Sequence, residues 1–246
     1  MNSLDSSLLF GIAAASANVL GGWIVVARRE PWDPRLLHGF VAVGAGFMLA
    51  AALLRMAPEA ARLSGSAPLL ILVGYLVVHL FEHTIAPHFH FGEETHPQLF
   101  VGSSVWASAL VGLVVHSLFD GISIGSGFLV SPALGLLVFA AIVLHKAPEG
   151  FTIASVMVAA GVNRGGALGA AFAVGLASVI GVLAAQALSH QVGAALALST
   201  GVTLYVAASD LIPEVNKEEG TLMAVLVFVG VALFYGSDQV LSALGL

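Results

Sequence analysis

The chain has 246 residues, 59% of them apolar and only 9% charged, with no cysteine and a formal charge of −6. A soluble globular domain carries about a quarter charged residues, so this composition excludes one and points to an integral membrane protein. The eight Lys and Arg residues form no basic stripe, which gives no reason to expect nucleic acid as a partner, and the lack of cysteine excludes disulfides and thiolate metal sites.

A bilayer core of about 30 Å needs about 20 apolar residues per helix. Eight such segments are predicted, near 6–27, 36–56, 67–88, 99–129, 132–160, 165–188, 192–214 and 221–243. The first lacks the basic flank of a cleavable signal peptide and is expected to be retained. Short polar or Pro-rich breaks separate the segments, so one transmembrane domain over residues 1–246 is expected, all α-helical. A transmembrane β-barrel would alternate in polarity over about ten residues, and these runs are longer and apolar all round. Arg28, Arg29, Arg35, Arg164 and Lys217 fall on one side of the alternating loops, and Arg55 and Arg62 on the other. The excess of positive charge belongs inside, so both termini are expected outside the cytoplasm.

Ionisable side chains inside apolar segments are costly and usually functional. Segments four and five carry a duplicated pattern, His116-Ser-Leu-Phe-Asp120-Gly121 and His145-Lys-Ala-Pro-Glu149-Gly150, and the likeness continues through Ser123/Thr152, Ile124/Ile153 and Ser126/Ser155. A second repeat aligns Gly46, Leu49, Ala52, Pro58 and Glu59 of segment two with Gly201, Leu204, Ala207, Pro213 and Glu214 of segment seven at one constant offset. Each pair lies an odd number of crossings apart, so its members run in opposite directions. Inverted repeats meeting at a polar midplane site are a secondary-transporter architecture.

Residues four apart share a helix face, which places His116 with Asp120 and His145 with Glu149. Two such faces apposed make a four-ligand metal site. Nitrogen and oxygen donors without sulfur suit Zn²⁺, and also Fe²⁺, Mn²⁺, Co²⁺ or Cd²⁺. Pro148 removes a helical hydrogen bond and is expected to bend segment five. Lys146, about 100° away from His145, needs a carboxylate, with Asp120 or Glu149 nearest, unless it snorkels to an interface. His79, Glu82 and His83 sit at i, i+3 and i+4 at the end of segment three, followed by His88, His90, Glu93, Glu94 and His96 in the next loop. With Asp210 and Glu214 they form a possible cytoplasmic exit. Glu59 and Asp238 are candidates either to line the path or to serve as capping or interfacial carboxylates, while His38 and His190 read as interfacial.

These motifs resemble those of the ZIP (Zrt/Irt-like) divalent-metal transporters over essentially the whole chain. The family's fourth and fifth helices carry His-x3-Glu/Asp-Gly and (His/Gln)-x2-Pro-Glu-Gly, matched here by His116, Asp120, Gly121 and His145, Pro148, Glu149, Gly150. The stretch Leu204 to Glu214 is similar to the family's seventh helix. The resemblance implies a 3+2+3 arrangement of helices, a homodimer in the cell membrane, movement of metal toward the cytoplasm and helix bundles moving against one another. Relatives that hold two metals place Asn, Asp and Glu at positions occupied here by Ser117, Lys146 and Ser178. All three differences remove ligands, so a single metal held by His116, Asp120, His145 and Glu149 is expected. The ion is transported cargo, and no cofactor is expected. An intramembrane metal-dependent hydrolase is the alternative; it lacks His-Glu-x-x-His and an obvious spare general base. A metal-sensing receptor would want a soluble output domain.

Overall fold

The computed structural model describes residues 3–27, 34–84, 103–218 and 220–245. Its helices are α1 (Ser3–Ala27), α2 (Pro34–Ala51), α3 (Ala57–Leu63), α4 (Ala67–Thr84), α5 (Ser103–Val130), α6 (Pro132–Ala159), α7 (Arg164–Ala187), α8 (Val192–Tyr205), α9 (Ile212–Val215) and α10 (Leu222–Ala243). Two π-helical turns, Ala52–Met56 and Val206–Leu211, join α2 to α3 and α8 to α9. Among the described residues eight helical stretches are long and apolar enough to cross a membrane. Large apolar side chains such as Phe228, Leu69 and Leu80 are exposed, which suits a surface facing lipid tails.

Helix starts follow local chemistry. The Ser131 hydroxyl accepts the Leu134 amide at 3.1 Å, with Pro132 in the first turn of α6, and the Asn163 side chain accepts the Gly166 amide at 2.8 Å before α7. α6 runs through Pro148 without interruption.

Segment two was expected to stop near residue 56, before Pro58, yet the helix continues to Leu63. The π turn explains the difference. The Ala57 amide reaches back to the Ala52 carbonyl, and Pro58 falls in the first turn of α3, where a missing N–H costs little. The Ile212 amide does the same to Ala207 ahead of Pro213. Ala52 and Ala207 are partners in the second repeat, so both copies widen at one place. Segment three was expected to reach residue 88; α4 ends at Thr84, and 85–102 lie outside the described residues, with the loop residues His88, His90, Glu93, Glu94 and His96 among them.

α1, α5, α6 and α7 pack on one another, while α2 lies along α10 and α4 along α8; the two groups meet where α6 touches α2 and α5 touches α8. Within the groups, backbones approach closely at glycines. A Cβ on Gly121 of α5 would fall on the Ser178 carbonyl, and one on Gly181 of α7 on the Leu118 carbonyl. Likewise Gly150 of α6 faces the Asn18 carbonyl, and Gly21 of α1 faces Ala147. The same reciprocity links Gly46 with Val227, Gly230 with Val43, Gly201 with Ile71, and Gly74 with Leu198. Each contact has a counterpart in the other repeat, so the relation extends to α1 with α7 and to α4 with α10.

Candidate metal centre

α5 and α6 are joined only through Ser131 and so run antiparallel, bringing their duplicated faces together. His116, Asp120, His145 and Glu149 are all buried, and one donor atom from each lies within 4.8 Å of the others. Asp120 is the hub. Its Oδ2 lies 3.1 Å from His116 Nε2, 3.2 Å from His145 Nε2 and 2.7 Å from Lys146 Nζ. The two Nε2 atoms are 3.4 Å apart. His145 Nδ1 lies 3.2 Å from the Ala141 carbonyl oxygen. A carbonyl can only accept, so Nδ1 carries the proton there, which leaves Nε2 as the ring atom on the side of Asp120 that can bind a cation. Lone pairs and a carboxylate gathered this closely suit a cation.

Lys146 is fully buried and does not snorkel. Besides Asp120, its ammonium donates to Glu149 Oε2 and to Ser117 Oγ, each at 2.5 Å, and Ser117 donates to Glu149 Oε1 at 2.7 Å. Ser117 and Lys146, two of the three positions where the resemblance implies a missing ligand, are therefore one network built on both carboxylates. The third, Ser178, is buried against Gly121, and its hydroxyl has no hydrogen-bond partner among the described residues.

Those expected exit residues whose side chains are described do not gather into one donor set. Among the described residues the central four are the only such group able to hold a metal. Glu82 is buried and accepts from Tyr205 Oη at 2.8 Å, whereas His79 and His83 are exposed, with ring centroids 4.2 Å apart. The face shared by i, i+3 and i+4 is broad enough for Glu82 to turn inward while both imidazoles stay outside. Asp210 is buried in the second π turn, and Tyr75 Oη meets Ser209 Oγ at 2.6 Å. Nothing in the sequence reading singled out Tyr205. Replacing it with Phe removes the donor to a buried carboxylate and should cost about 1–3 kcal/mol, read as a lower melting temperature of Tyr205→Phe against wild type.

At the opposite end Arg55 of the first π turn lies 3.0 Å from Asp238 of α10. By the repeat, Arg55 corresponds to Asp210 and Asp238 to Glu82, so an ion pair at one end stands where two acids stand at the other. Glu59 pairs with Arg62 on α3, and the side chain of Glu214 lies outside the described residues. His38 is buried beside Glu218 at 3.0 Å, and His190 is exposed at the start of the seventh span.

The family model described as ZIP zinc transporter matches residues 92–238. Zinc transporter ZIP9-B of Xenopus laevis is 32% identical over 158 residues, covering 59% of this chain and 52% of that protein. Zinc transporter ZIP9 of Macaca fascicularis is 36% identical over 118 residues, 43% of this chain and 50% of that protein. Human zinc transporter ZIP13 is 29% identical over 123 residues, 45% of this chain and 33% of that protein. The chain thus spans about half the length of the first of these relatives. The hydrolase alternative finds no support in these matches. With its family model matched over more than half its length, on a bundle of eight apolar helices around buried His, Asp, His and Glu side chains, the chain belongs to the ZIP zinc transporter family.

Proposed function

We propose that this protein is a secondary transporter of divalent transition-metal ions, Zn²⁺ first, and that His116, Asp120, His145 and Glu149 hold the ion in transit. The observation that carries this reading is the convergence of four buried nitrogen and oxygen donors within 4.8 Å between two apolar helices. Zn²⁺ comes first because the relatives are named zinc transporters and because His and carboxylate donors suit it. One ion is bound at a time. The Lys146 ammonium supplies positive charge beside both carboxylates, where a second cation would be repelled.

Residues 1–246 act as one transport domain, in a homodimer in the cell membrane, with both termini outside and metal moving inward. The loop charges support this orientation. The acids Glu82 and Asp210 then lie toward the inner end, with His79, His83, Glu214 and the loop histidines His88, His90 and His96 near the exit. The Arg55–Asp238 pair lies toward the outer end. The close glycine contacts within each helix group, and the looser fit where α6 meets α2, with a Cβ on Gly44 3.6 Å from Leu144, support motion of one group against the other.

Uptake of Zn²⁺ into proteoliposomes by wild type, His145→Ala and Glu149→Ala tests the reading. Wild type should accumulate Zn²⁺ and both variants should fall at least tenfold, because each loses a ligand and Glu149→Ala also strips Lys146 of a partner. Undiminished uptake in both variants would overturn the site, and no uptake of any divalent metal by wild type would overturn the function.

A further inference from the structure

A divalent cation that takes Asp120 and Glu149 takes the two carboxylates that now hold the Lys146 ammonium. An ammonium with no exposure cannot turn to water, and beside a divalent ion it is repelled. It needs other acceptors within the protein.

The two candidates flank the network symmetrically. Lys146 and Gly150 share a face of α6, and Ser117 and Gly121 share the matching face of α5. Over Gly150 lies Asn18 of α1, its Oδ1 2.8 Å from where a Cβ of residue 150 would stand; over Gly121 lies Ser178 of α7. Asn18 and Ser178 are themselves counterparts, in Ala17-Asn-Val-Leu-Gly21 and Ala177-Ser-Val-Ile-Gly181. Both are fully buried, and Asn18 Oδ1, Asn18 Nδ2 and Ser178 Oγ have no hydrogen-bond partner among the described residues. A lone serine hydroxyl in a helix is unexceptional. A buried amide with neither end satisfied is costly and calls for a role.

We propose that Asn18 Oδ1, together with Ser178 Oγ, receives the Lys146 ammonium when the transported cation occupies Asp120 and Glu149. Asn18 is then a positioning residue that acts through Lys146 and does not touch the ion. The lysine moves between two sets of acceptors, and this makes the carboxylates available without losing its charge. The inference rests on the transport reading above.

The test is a double-mutant cycle on equilibrium Zn²⁺ binding to purified protein, with the melting temperature of the metal-free forms as a second readout. Asn18→Leu should weaken binding about tenfold while Lys146 is present, the size of one lost hydrogen bond to a charged group, and by less than about twofold in a Lys146→Gln background. Its melting temperature should not fall, because an unpaired buried amide gives way to an apolar side chain of similar size. Unchanged affinity in Asn18→Leu overturns the proposal. Equal weakening in both backgrounds also overturns it, making Asn18 a direct ligand. Should Asn18→Leu not accumulate as folded protein, Ser178→Ala enters the same cycle under the same two criteria, with an expected weakening of about threefold. A wild type that binds no Zn²⁺ is a different result, and it refutes the transport reading itself.

Discussion

Lys146→Met should make the fold depend on metal. In chelator, the variant should melt on the order of 10 °C below wild type, because removing one partner of a buried ion-pair network costs about 3–5 kcal/mol. Methionine fills similar volume, so packing contributes little. The loss is electrostatic, since Asp120 and Glu149 remain buried while the ammonium at 2.7 and 2.5 Å is gone. Added Zn²⁺ should then restore the variant far more than it raises wild type. A cation at a hundred times its dissociation constant contributes about 2.7 kcal/mol, and in the variant the ion replaces the missing charge instead of displacing it. Melting curves in chelator and in graded Zn²⁺ measure both effects. Equal melting temperatures in chelator would show that the lysine does not balance the carboxylates.

Much of this site was legible in the residues. Helical spacing alone puts His116 over Asp120 and His145 over Glu149, and an odd number of crossings sets the two pairs antiparallel. Lys146 was legible as a charge needing a partner, though not that it would take both carboxylates and Ser117 together; that depends on how closely α5 and α6 approach. Asn18 was missed because a single amide in an Ala- and Gly-rich helix carries no periodic signal. Its likeness to Ser178 stands in the two Ala-x-Val-(Leu/Ile)-Gly strings, but neither string contains a charge to draw attention. Pro58 misled the reading of segment two for a related reason. Proline ends a helix under i to i−4 pairing, and local sequence does not reveal that Ala52 to Met56 pair at i−5. The cluster at the end of segment three divides for a different reason. Three polar residues on a broad face need not point one way, and the Tyr205 hydroxyl that draws Glu82 inward comes from a helix more than a hundred positions later.

Gly121→Ala and Gly150→Ala should destabilise the protein severely and to nearly the same extent. In each case the new methyl would fall on a main-chain carbonyl, that of Ser178 or of Asn18, and a carbonyl held in its own helix cannot rotate aside. The neighbouring helix must move bodily, and overpacking of this kind costs about 1–3 kcal/mol or somewhat more. Gly169→Ala is the control. A Cβ there meets nothing within 4 Å, so its stability should stay level or rise by up to about 1 kcal/mol through helix propensity. Because α1 and α7 carry Asn18 and Ser178 over the two glycines, each harmful variant also moves a side chain that flanks the polar network, and Zn²⁺ affinity should fall with stability. Thermal unfolding of the three variants side by side tests the symmetry as well as the contacts. An inverted repeat requires the α5–α7 and α1–α6 seams to respond alike, whereas chance likeness between glycine-rich helices carries no such requirement. A difference of more than about 2 kcal/mol between the two seams, beyond the usual context spread for one substitution type, would count against the repeat as the organising principle of the centre.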